Sequence, residues 1–246
     1  MNRAYIAFFL FFLLNFLAWA AVKPVMAIWI NVPPPPDYNS ALSGYLGDRE
    51  LAYRAYGYML QNIGDHGGET RHIDSFDYEN LSAWFYLTDS LNQKSNYIPN
   101  LAAHYFGAAK ERKHVKILTD YLSFAGARPA EDKWRWLVWS ISRIRHITPD
   151  NVFPTRAIEL AEILAETKYP DDPDWANRLS PVIYYDYGKN LKAYHALKHI
   201  MNTRWEEFSF DEQLFMVELL CNGLSNLSKQ DVICVMKTSP QQLTPL

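Results

Sequence analysis

The sequence predicts an all-α chain, in which an N-terminal transmembrane helix is followed by an α-solenoid of helical hairpins. Three observations predict it. Residues 4–22, AYIAFFLFFLLNFLAWAAV, are apolar except for Asn15. Strand-like alternation is nearly absent beyond residue 40. Helical segments about 12 to 15 residues long alternate with turns of Gly, Pro, Asn and Asp, the pattern of stacked helix pairs rather than of a closed bundle.

The apolar run comes first. At about 1.5 Å per residue it covers roughly 28 Å, close to the ~30 Å hydrocarbon core of a bilayer. Arg3 precedes it, and the loop to Asp48 carries Lys23 as its sole cation. That charge bias places the amino terminus on the cytoplasmic side and exports the rest. The competing reading is a cleaved signal, with a basic Met1–Arg3 segment and small residues at Ala18-Trp19-Ala20. Retention is expected because the run exceeds an ordinary signal core and 23–30 continue apolar. Residues 1–30 are thus read as anchor or signal segment, with membrane contact through 4–30 and Trp19 and Trp29 at the interface. The localisation that follows is a bacterial inner membrane, crossed once, with the C-terminal domain in the periplasm.

Residues 31–40 read as a proline-rich spacer, because Pro33 to Pro36 remove amide donors and favour polyproline II geometry. Beyond it, helices are expected from Asp48 or Gly47 to Ile63, then over Tyr78–Asn92, Ile98–Ala109, Lys113–Ala125, Glu131–Ile147, Thr155–Thr167, Asp174–Tyr187, Lys189–Met201, Asp211–Leu224 and Lys229–Met236. A repeat region over 41–204 and C-terminal capping helices and tail over 205–246 complete the division.

Composition narrows the function classes. The 246 residues carry 24 Lys and Arg against 27 Asp and Glu, a net charge of -3, which argues against a nucleic-acid surface. Aromatics reach 15% and recur at helical spacing, so they are read mainly as interhelix packing. Cys221 and Cys234 either form one bridge in an oxidising compartment or remain two buried thiols.

The hairpin pattern carries a family likeness. Tyr184-x3-Gly188-x4-Ala193-x3-Leu197-x2-Ile200 has an aromatic late in one helix, a glycine at the turn, a small residue at the crossing and apolar residues one turn on. A second unit runs Trp134-x2-Leu137-x3-Ile141, then Ala157-x3-Ala161-x2-Leu164 with Pro170 closing it. A third runs Tyr53-x2-Tyr56-Gly57-x2-Leu60-x3-Gly64, then Ala83-x3-Leu87, and a fourth surrounds Leu101, Tyr105, Leu118 and Tyr121. Over about residues 49–201 the chain resembles the tetratricopeptide repeats. It departs from them at Pro181, Val138 and Ala102, which stand where the first helix carries glycine, and at His114, where a small residue belongs.

The resemblance implies a concave groove lined by the first helix of each hairpin. Its residues would be Arg54, Tyr58 and Asn62, then Arg135, Trp139 and Arg143, then Arg178 and Tyr185. Arginine beside aromatics clamps carboxylates while stacking on an extended chain, so the groove is expected to bind a protein or peptide partner. The alternative use of these residues is internal, with Arg143 paired to a neighbouring acid and Trp139 filling the core between hairpins.

Catalytic signatures are weak. His195 and His199 have the i, i+4 spacing of a zinc pair but lack the following glutamate, and Lys198 would repel the ion. Asp65, His66, Glu69, His72 and Asp74 offer ligand types suited to a divalent ion, which leaves a metal-dependent hydrolase built on the Asp65–Asp74 loop as the alternative function. A structural subunit of an inner-membrane complex is the other. No nucleophile elbow, P-loop or dinucleotide fingerprint is present. The expectation is a membrane-anchored adaptor, with no catalysis, no cofactor and no metal.

Overall fold

Aspartates start the early helices. Asp37, Asp48 and Asp77 each hold extended backbone, and each carboxylate accepts two amide N–H groups of the following turn at 3.0 Å. These bonds satisfy donors that have no partner inside the helix. Ser209 and Glu212 form a reciprocal capping box further on. In this computed structural model, residues 3–22, 32–66, 69–70, 72–147, 154–171 and 175–238 are described.

The helices are α1 (Arg3–Val22), α2 (Tyr38–Ser43), α3 (Arg49–Gln61), α4 (Tyr78–Leu91), α5 (Tyr97–Asn100), α6 (Arg112–Gly126), α7 (Trp134–Ile147), α8 (Pro154–Glu166), α9 (Leu179–Asp186), α10 (Asn190–Arg204), α11 (Phe210–Glu218), α12 (Ser225–Ser228) and α13 (Val232–Thr238). A two-residue antiparallel ladder pairs Asp65 with Thr70 and His66 with Glu69. The all-α expectation therefore holds.

The transmembrane expectation does not. The apolar run forms α1, its large side chains are exposed, and Asn15 turns its amide back onto the Phe11 carbonyl at 3.0 Å. Among the described residues no helix is long and apolar enough to cross a membrane. The continuation to Ile30, which lengthened the expected span, falls on residues 23–31, outside the described residues. That finding overturns the single-pass anchor, the membrane contact through 4–30 and the inner-membrane and periplasmic placement.

The proline run lies against the helical domain. Val32 is buried, its carbonyl accepts the Asn80 amide at 3.0 Å, and the Pro33 carbonyl accepts the Trp84 indole N–H at 2.7 Å. Proline cannot donate, yet its carbonyl remains a full acceptor, so the segment is fixed from the helix side.

Helices pack in chain order: α3 on α4, α4 on α6, α6 on α7, α7 on α8, α8 on α9 and α9 on α10. Small residues permit the closest approaches. A Cβ at Gly126 would lie 2.9 Å from the Leu137 side chain, and Ala157, Ala161 and Ala193 are buried. Gly188, at φ +69°, ends α9: the Lys189 amide bonds the Tyr184 carbonyl at 2.7 Å and the Gly188 amide bonds that of Tyr185 at 2.9 Å. This is a Schellman turn, which needs the left-handed residue glycine supplies.

Several expected helices are shorter or broken. The Ile98–Ala109 segment divides into α5, a π turn over Leu101–Tyr105 and a 3-10 turn over Phe106–Ala108. The start expected at Glu131 moves to Trp134, because Asp132 takes φ +61° and its amide bonds the Asp171 carboxylate. Asp174 lies outside the described residues, and its helix begins at Leu179 after a 3-10 turn over Ala176–Arg178. The helix expected over Asp211–Leu224 gives way at Leu219 to a π turn over Leu219–Gly223. Cys221 and Cys234 form a disulfide that ties this turn to α13.

Candidate functional site

One face of α7 carries Arg135, Trp139 and Arg143 at successive four-residue steps, which helical geometry places in one stripe. Trp139 leans over Gly107 of the segment that the π turn interrupts. A Cβ at Gly107 would come within 2.6 Å of its Cζ2 atom, so glycine is required there. Arg143 sits one turn on, its guanidinium carbon 5.9 Å from the Trp139 ring centre.

Arg143 is held by a carbonyl rather than by an acid. Its Nη2 donates to the Ala109 carbonyl at 2.8 Å, and among the described residues no carboxylate pairs with it. Its Nε is buried and has no hydrogen-bond partner. Burial pulls the guanidinium pKa down, with the nearby Tyr78 hydroxyl opposing. A guanidinium held by a carbonyl rather than by an acid, and reduced in hydration, keeps charge to offer an incoming anion. His104, Gly107, Trp139, Ser142, Arg143 and His146 line a cavity of about 300 to 400 Å³ around it, 350 Å³ by volume. That is within the usual range for ligand sites.

The other expected groove residues are placed separately. Arg135 pairs with Asp132 at 2.6 Å and lies over Trp134. On α3, Arg54 pairs with Glu50 at 2.8 Å, Tyr58 is 70% exposed, and the Asn62 amide bonds the Tyr58 carbonyl at 2.7 Å. Arg178 is only 5% exposed: it pairs with Glu212 at 2.8 Å and lies 3.8 Å from the Phe208 ring centre, bracing the lead into α9 against α11. Tyr185 meets the π turn, where a Cβ at Gly223 would touch its ring at 3.2 Å. The structure thus brings Trp139 and Arg143 into one cavity and assigns Arg178 to internal packing.

The metal-site expectation finds no support among the described residues, where no group of three His, Cys, Asp or Glu side chains can hold an ion. The side chains of Asp65, His66 and Glu69 lie outside those described. Asp74 accepts the amides of Lys110 at 2.9 Å and Glu111 at 3.5 Å, at the start of α6. Burial alone would raise its carboxyl, but those amides together with His114 and His72 outweigh burial and hold it below its ordinary value. His114 approaches Asp74 at 3.5 Å and stacks on Tyr78 at 4.0 Å between ring centres. Of the histidine pair, His195 lies edge-on to Tyr194, and Lys198 is engaged by Asp231 at 2.6 Å.

Two features were missed in the sequence. His104 and His146 complete the Arg143 cavity; His146 lies three residues beyond Arg143 on α7, whereas His104 comes from another segment. The other is a buried charged network. Lys133 is 0% exposed, its Nζ donates to the Ser95 carbonyl at 2.8 Å, and burial pulls it down to about 8. Asp89, equally buried, pairs with Arg128. A perturbed lysine often marks chemistry, but full burial keeps this one from any substrate.

Comparison with known proteins found no family model, no curated protein and no solved structure that matches the chain.

Proposed function

We propose that the protein is a helical-repeat adaptor, without catalysis, that binds a protein or peptide partner at the α7 cavity. Arg143 takes a carboxylate of the partner, and Trp139 stacks on the adjoining chain. The observation that carries this reading is the Arg143 guanidinium, paired with no carboxylate among the described residues and lying beside the Trp139 ring in the wall of a cavity. Serial packing of the helices is consistent with the tetratricopeptide-like hairpins expected from the sequence.

The test is crosslinking of the full chain in cell extract, with mass spectrometry of the captured segment, followed by titration of that segment against variants. Arg143→Gln should weaken binding by about 2 to 5 kcal/mol, because it leaves a desolvated carboxylate unpaired. Arg54→Ala and Arg135→Ala should change affinity by less than about 1 kcal/mol, since both belong to exposed pairs. Undiminished binding by a folded Arg143→Gln protein would sink the proposal.

A further inference from the structure

A second concavity, in the other half of the molecule, has a different chemical character. It lies where the chain leaving α8 passes α10, and has a volume of about 560 Å³. Lys168, His199 and Arg204 contribute its basic groups, Thr167 a hydroxyl, and Tyr169 and Ile200 part of its apolar wall. Among the described residues no carboxylate side chain lines it. Tyr169 is buried and fixed, its hydroxyl donating to the Gly126 carbonyl at 2.7 Å, so this wall is rigid.

Lys168 follows the end of α8, and Arg204 is the last residue of α10. A cation at a helix C-terminus offsets the partial negative charge there, which accounts for each one singly. It does not account for their facing one cavity together with His199 and an apolar wall. Arg204 also reaches Glu207 at 2.6 Å, and Glu207 does not line the cavity. The mixture of convergent donors and apolar surface is that of a small-ligand site.

We infer that this cavity binds a small organic anion, a carboxylate or phosphate monoester carrying an apolar body. The anionic head meets Lys168 and Arg204, with His199 and the Thr167 hydroxyl beside it, while the body lies along Tyr169 and Ile200. The site shares no lining residue with the Arg143 cavity.

Calorimetric titration of the full chain with phenyl phosphate, benzoate and inorganic phosphate tests it. Phenyl phosphate or benzoate should bind saturably at one site, and inorganic phosphate, which lacks the apolar body, about tenfold more weakly or more. Lys168→Gln should weaken binding about tenfold. Ala196→Leu, which fills the cavity from α10 without changing charge, should weaken it at least as much, with circular dichroism unchanged. Arg143→Gln should leave it intact. No saturable binding, undiminished binding by both cavity variants, or loss of binding in Arg143→Gln would each overturn the inference. Equal affinity for inorganic phosphate would do so as well, by showing a charge patch rather than a site.

Discussion

The two halves of the helical array are stabilised by different chemistry, and α7 is the helix they share. Its Trp136 faces the first core, and its Leu137, Ile141 and Ile144 face the second. The first core, from Val32 to Trp136, is crowded with rings: Tyr53, Phe76, Tyr78, Trp84, Phe85, Phe106 and Tyr121. Two of these carry a polar tip that reaches distant backbone, Trp84 to Pro33 and Tyr78 to Phe106. The second core is built mainly from Leu, Ile and Ala, with a Schellman turn and a disulfide. Both cores accommodate irregular backbone, the first the π turn at Leu101 and the second the π turn at Leu219, but the aliphatic core also relies on close helix approach at small residues such as Ala157, Ala161 and Ala193.

The largest effect that would sharpen this contrast comes from the buried charges. Asp89→Ala leaves Arg128 without its carboxylate and should destabilise the protein by about 3 to 5 kcal/mol. Hydrogen exchange should rise in α3, α4 and α6 well before α9 and α10. Uniform loss of protection would show that the halves unfold as one.

The opposite perturbation is removal of the disulfide. With a sequence separation of 13 between Cys221 and Cys234, Cys221→Ser with Cys234→Ser should cost about 3 kcal/mol. Protection should fall in α11 to α13 and be retained in α4 and α6. Thermal melting with peptide-level exchange reads both.

Titration of Lys133 isolates the first half by pH. Its folded pKa of about 8 lies below the ordinary 10.5, so between these values the unfolded chain holds more protons and stability rises with pH. The gain is at most about 3 kcal/mol. Above pH 10 the buried Tyr121, whose pKa is raised by burial, reverses the slope, because the unfolded chain then loses its proton first. Denaturant midpoints from pH 7 to 11 measure this, and Lys133→Met should flatten the rise. A rise that persists in Lys133→Met would assign it to another group.

The smallest effect concerns the proline run. Trp84→Phe keeps a ring in the core but removes the bond to the Pro33 carbonyl, at a cost of about 1 kcal/mol. Protease sensitivity near Val32 should increase. An unchanged midpoint and digestion pattern would mean that burial of Val32 alone holds the segment.

Much of this was legible in the residues. The all-α class and most helix positions followed from periodicity, and the start at Asp48, one of two residues expected there, from capping chemistry that acts over three residues. The turn at Gly188 was legible for the same reason. The break at Asp132 was not, because it answers a partner distant in the chain, the Asp171 carboxylate on the Asp132 amide. Within the candidate site, the Trp139 and Arg143 stripe could be read from helical spacing. That Arg143 would bond a carbonyl rather than an acid could not.

By itself, the sequence determined what local forces decide: the all-α class, most helix positions, the caps, and the face of α7 that carries Arg135, Trp139 and Arg143. Tertiary structure alone decided which of the arginines were available. Arg54, Arg135, Arg143 and Arg178 look alike as residues, yet Arg178 is buried against Phe208 and Glu212, Arg54 and Arg135 sit in exposed pairs, and Arg143 borders a cavity. Hydration and pairing set the reactivity of a charge toward a ligand, and both depend on neighbours that only the folded chain brings together.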